Sequence, residues 1–146
     1  MVSRKRMILL AAVSAFILAL FAGVAVADEK IGLIEPNTIL SQHPRMAQVK
    51  KEIQAVVQKK QDEAKEAMAK EKDEQKKAQI YETKQNEAVA EEQRLMAPIL
   101  KDIDAAIRAV AKAKGMTVVI DTAATLMGGV DITEDVIREL KKKAAS

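Results

Sequence analysis

Cysteine is absent from the 146 residues, tryptophan is absent, and aromatic residues make up only 2% of the chain. Without cysteine no disulfide framework or thiolate metal site can be built. With His43 as the single histidine, no zinc centre can be assembled around imidazoles; beside Pro44 it reads as a turn residue. Glycine and proline are scarce as well, five and three residues, and their placement matters more than their number. From Arg45 to Lys114 there is no glycine and one proline, Pro98. No glycine-rich loop is available to cradle a phosphate, which argues against ATP use.

The longest apolar run lies at the start. Arg4, Lys5 and Arg6 precede an apolar stretch from Met7 to Ala22, and Ala25-Val26-Ala27 precedes Asp28 and Glu29. This is the pattern of an export signal cleaved after Ala27, which predicts a periplasmic location. The same 21 uncharged residues from Met7 to Ala27, if retained, are long enough to anchor the chain in a bilayer. Three of the 24 Lys and Arg lie in this leader, so residues 28–146 carry 21 cations against 21 anions. The basic character therefore belongs to the leader. With Tyr81 as the one aromatic beyond it, a nucleic-acid surface is excluded.

What remains is rich in Lys, Glu, Gln and Ala, which favour helix. As one continuous helix, residues 45–114 would reach about 100 Å. Apolar residues cluster at both ends of the tract: Met46, Val49, Ile53 and Val56/Val57 at one, Met96, Ile99/Leu100, Ile103, Ile107 and Val110 at the other. Between Gln58 and Arg94 only Met68, Ile80, Tyr81 and Val89 are larger than alanine among the apolar residues. That lapse does not suit a tightly zipped coiled coil, which needs sustained apolar core positions.

This distribution predicts an antiparallel helical hairpin with its turn within 71–80. It brings together a strand at Lys30–Glu35 and one at Thr117–Asp121, neither stable alone. Gly32 suggests close backbone approach, Pro36 and Pro44 suit helix starts, and Pro98 is expected to bend the returning helix. Gly115 should end that helix, with Lys112 and Lys114 complementing its dipole. Leu126-Met127 is read as a short strand, and Thr133 as the N-cap of a last helix, with Ile132 and Ile137 as a hydrophobic staple.

The triplet Asp121-Thr122-Ala123 after an apolar strand resembles an aspartic-protease signature. That chemistry needs a symmetric pair of aspartates on a mostly β scaffold. Here Asp121 is expected to end a strand and cap a turn. Carboxylates such as Glu63/Glu66 and Glu91/Glu92 alternate with lysines and read as a solvated helix face. Nothing in the sequence looks catalytic.

Several segments in combination resemble the Skp/OmpH family of periplasmic chaperones. They are the leader, Lys30-Ile31-Gly32-Leu33-Ile34-Glu35, the Lys/Glu/Gln/Ala tract, Ala109-Val110-Ala111-Lys112, Val118-Val119-Ile120-Asp121 and Asp131-Ile132-Thr133 with Val136-Ile137. The resemblance implies a predominantly helical α+β chain: a helical hairpin arm (45–114) on a small β-rich body (28–44 and 115–146) that forms a homotrimer. It implies an ATP-independent holdase that keeps unfolded outer-membrane proteins from aggregating in a cavity between arms, with no cofactor or metal. On this reading Met68, Ile80, Tyr81 and Val89 contact the client. Ile31, Leu33, Ile34, Val118, Val119, Ile120, Ile132 and Ile137 build the trimer body. The tract from Met46 to Ala97 carries eleven cations and eleven anions. No lipopolysaccharide site is carried over, and only a transient membrane-surface contact is left open. The competing reading is a signal-anchored coiled-coil spacer of the cell envelope.

Overall fold

The computed structural model describes residues 29–145; the expected leader lies outside them. The described chain is mostly helical with a small parallel sheet. Strand β1 (Ile31–Ile34) leads into helix α1 (Pro36–Ser41), with Pro36 in its first turn, where a missing N–H is harmless. Helices α2 (Met46–Lys70) and α3 (Glu74–Lys114) follow, then strand β2 (Val118–Asp121), a 3₁₀ turn at Thr122–Ala124, strand β3 (Val130–Asp131) and helix α4 (Thr133–Ala144). No helix among the described residues is long and apolar enough to cross a membrane.

Helix α3 runs back past α2. Near the base Met46 and Val49 pack with Ile99, flanked by Leu40, Ile53, Leu95, Met96 and Ile103. Farther out, Lys60 on α2 meets Glu87 on α3 at 2.7 Å. The connection is three residues long and contains neither glycine nor proline; carboxylates make it instead. Glu71 accepts hydrogen bonds from the N–H groups of Lys72 and Asp73, and Asp73 caps α3 by accepting from Gln75 and Lys76. Helix α3 stays continuous through Pro98. It ends where expected, at Gly115 in the left-handed region (φ 67°), with Lys112 and Lys114 in its last turn.

The sheet has the order β2-β1-β3 with both pairings parallel, Ile31 opposite Val118 and Gly32 opposite Val130. One face is covered. Ile39 of α1, Ala106 and Val110 of α3, and Ile132, Val136, Ile137 and Leu140 in and beside α4 form one buried cluster, against which Ile34 and Val119 pack. The absence of a side chain at Gly32 lets Ile132 approach: a Cβ there would lie 3.2 Å from Ile132 Cδ1. Period-two alternation puts Ile31, Leu33, Val118 and Ile120 on the other face.

Three local expectations are corrected. Leu126 and Met127 are not a strand; both are highly exposed, and the third strand forms at Val130–Asp131. In the parallel sheet the chain must cross β1 before it can pair, and 122–129 is that crossover. Gly129 (φ 85°) lies against Leu33 there, where a Cβ would come within 2.7 Å. Thr133 is the first residue of α4 rather than its cap. Its hydroxyl is occupied by the N–H of Glu35, 3.0 Å away, so the Asp131 carboxylate accepts from the Thr133 N–H instead, at 2.8 Å. Pro44 likewise precedes α2 by two residues, in the turn.

Candidate functional site: the arm and the open sheet face

The arm formed by α2 and α3 changes character along its length. At its root the side chains are large, and Met46, Val49 and Ile99 are buried. Toward the middle the contact thins to Ala64, which is buried, and to a cleft of about 350 Å³. Val57, Ala64, Tyr81, Ala88 and Val89 supply its apolar walls, with Lys60, Lys84 and Glu92 at its edges. Small side chains between two helices cannot fill the space that leucine or isoleucine would fill, and the cleft is the consequence. Of the residues expected to touch a client, Tyr81 and Val89 line this cleft and are about half exposed. Ile80 and Met68 are partly buried nearer the tip. The four do not form one patch around the cleft.

Beside the cleft lies a feature that sequence periodicity did not reveal. Lys60 and Lys84 each reach both Glu63 and Glu87, with N···O distances from 2.7 to 3.3 Å. Glu63 was expected on a solvated face. It is solvent-facing, but it also joins a closed ring of two cations and two anions that bridges the helices. Of the others, Glu66 pairs with Lys70 and Glu91 with Arg94, each within one turn, and Glu92 lines the cleft. Glu63 differed from them in sequence only through a lysine 21 positions away, which no local pattern could pair with it.

The ring shifts its members in opposite directions. The hydrogen bonds from Lys84 and Lys60 hold the Glu63 carboxyl below its ordinary 4.5, and those from Lys60 and Lys84 do the same for Glu87. Both lysines are raised above 10.5, chiefly by Glu87. Carboxylates that are lowered on folding stabilise the arm above about pH 4.5, and this is lost as pH falls through their shifted values. The lysine contribution is present below about 10.5 and is lost as pH rises through theirs. The ring faces solvent, so salt screens it. Thermal stability of the helices followed by circular dichroism should therefore fall on acidification below pH 4.5, and the Lys60→Gln, Lys84→Gln double variant should be less stable at neutral pH and show a smaller fall. A wild-type curve that superimposes on the variant's would contradict this.

The open sheet face is the second candidate surface. Ile31 and Val118, opposite each other in the register, are 38% and 49% exposed, and Leu33 and Ile120 are partly buried beside them. Val130, Leu126 and Met127 add exposed apolar surface at the edge and on the crossover. Of the expected body residues, Ile132 and Ile137 instead lie in the interior of the chain's own core, with Ile34 and Val119 against it. The eight therefore divide between two faces. The Asp121 carboxylate accepts from the Ala123 N–H at 2.9 Å, the turn-capping role expected of it.

A family model for outer membrane proteins of the OmpH-like type matches residues 58–140, more than half of the chain. This chain belongs to the OmpH-like family. The match runs from the upper half of α2 through α3, the strands β2 and β3 and most of α4. It thus covers both the cleft of the OmpH-like arm and the strands that return to the base. Comparison with curated proteins finds no match.

Proposed function

We propose that this OmpH-like protein is an ATP-independent periplasmic holdase that keeps unfolded outer-membrane proteins from aggregating. On this reading residues 45–114 work as an antiparallel hairpin arm, and 28–44 with 115–146 as the body. Three copies associate through the open sheet faces, and the client is held between the arms. Family membership supports the client class, and the basic-then-apolar pattern of residues 4–27 supports the compartment.

The observation that carries the reading is the gradient along the arm. Its root is packed with buried Met46, Val49 and Ile99, whereas its middle keeps Tyr81 and Val89 exposed over an unfilled cleft. Scattered apolar side chains among balanced charges make many weak contacts, which hold a chain without fixing it. Several arms acting together raise the effective concentration of such contacts, so capture needs no single tight site and release needs no nucleotide.

The test is dilution of a urea-unfolded outer-membrane β-barrel protein into buffer with the purified protein, followed by light scattering. Scattering should be suppressed at one trimer per client, with or without ATP. Undiminished aggregation at that ratio would end the proposal.

A further inference from the structure

We infer that His43 is a pH-operated latch at the root of the arm, closed when the imidazole is neutral and released when it is protonated. The inference goes beyond the holdase reading and does not depend on it. His43 lies in the turn between α1 and α2, and its side chain is 4% exposed. Its Nδ1 accepts a hydrogen bond from the N–H of Arg45, the residue that caps α2, at 3.2 Å. The His43 carbonyl accepts from the N–H of Met46, the first residue of α2, at 2.9 Å. The ring thus satisfies a donor at the start of the arm, in a place where such groups have no helical partner.

An Nδ1 that accepts carries no proton, so the neutral ring has its hydrogen on Nε2. That nitrogen is 3.7 Å from Asp102 on α3, and Leu140, Lys143 and Ala144 of α4 close the same pocket. The imidazole therefore hydrogen-bonds the beginning of α2 and lies beside α3 and the end of α4.

Protonation puts a hydrogen on Nδ1, which can then no longer accept from Arg45. The charged groups around it are Arg45 on its own side, Asp102 from α3 and Lys143 from α4. Asp102 alone attracts an imidazolium, and it is half exposed. Burial is the largest influence; it exceeds the attraction of Asp102 and, with a smaller push from Arg45, holds His43 below its ordinary 6.5. The unfolded or unlatched state therefore binds the proton more readily. The latch is fully closed above about pH 6.5, weakens as pH falls through that value, and is open below the lowered value.

The experiment follows the imidazole and the backbone of the full-length mature protein together. His43 is the single histidine, so its ring nitrogen resonances are unambiguous. At pH 7.5 they should show hydrogen on Nε2. Between pH 7 and pH 5, exchange of the amides of Arg45 to Val49, corrected for intrinsic rates, should speed up severalfold while that of Ile137 does not. His43→Asn retains an acceptor for the Arg45 N–H and cannot be protonated in this range, so its corrected exchange should be flat. Asp102→Asn should move the wild-type transition to lower pH. Hydrogen on Nδ1 at neutral pH, a flat wild-type profile, or an equal acid response in His43→Asn would each overturn the latch. Loss of holdase activity would not bear on it.

Discussion

Replacing Ile31 and Val118 together by aspartate should convert the proposed trimer into monomers, read by sedimentation as a threefold fall in mass. The two residues face each other across the parallel β1–β2 pair, on the side of the sheet away from the core cluster. They are 38% and 49% exposed in the isolated chain and lie outside its buried core, so substitution opens no core cavity. Two carboxylates facing each other across the strand pair cost the isolated chain about 1 kcal/mol. In an interface the outcome is different. An unpaired carboxylate taken out of water costs about 3 kcal/mol or more, and symmetry repeats that penalty at every copy. Each 1.4 kcal/mol is about tenfold in affinity, so the loss per interface exceeds about a hundredfold for one carboxylate alone. Helix content should be retained, and suppression of client aggregation should be largely lost, because single arms cannot enclose a chain. A variant that sediments like wild type would remove the open sheet face from the proposed assembly.

Ile132→Ala should be the most destabilising single truncation in the base, by about 2–5 kcal/mol. Ile132 is fully buried, sits against Gly32 of β1, and belongs to the cluster that also holds Ile39, Val136 and Ile137. Its N–H donates to the Leu33 carbonyl at 2.9 Å, so the side chain packs where the backbone is pinned to the sheet. Collapse of neighbours into the cavity is restricted on that account. The core is small: eleven apolar residues are buried among the described ones. A domain whose total stability is on the order of 5–15 kcal/mol has little reserve against such a loss. The urea midpoint should shift strongly downward, whereas Val89→Ala, on the half-exposed wall of the arm cleft, should leave it nearly unchanged. Equal shifts for the two would mean that base and arm do not differ in packing as described.

The two surfaces were legible in the sequence to different degrees. Long helices were, because seventy residues without glycine and with strong helix formers leave the backbone few alternatives. Gly115 as a helix end and Gly32 as a point of close approach were also readable, since each reflects a backbone or steric requirement local to one residue. The β1–β2 pairing could be anticipated because an isolated four-residue strand has no stability of its own. The strand placed at Leu126-Met127 failed because β-propensity carries no information about where a parallel crossover must pass. The Thr133 cap failed because its hydroxyl was claimed by Glu35, 98 positions away.

His43 shows the boundary most clearly. A lone histidine before proline is correctly a turn residue, but its burial, its acceptor role toward Arg45 and its approach to Asp102 depend on three helices meeting. The Lys60–Glu63–Lys84–Glu87 ring depends likewise on the register between α2 and α3. Composition and periodicity act through local backbone energetics, and they determined that this protein is helical, thinly cored and apolar at both ends of its long tract. Only the tertiary structure decided which strands face the core, which carboxylates bridge the helices, and where the arm is latched. Those outcomes rest on contacts between residues far apart in the chain, whose energies exist only once the backbone has brought them within a few ångströms.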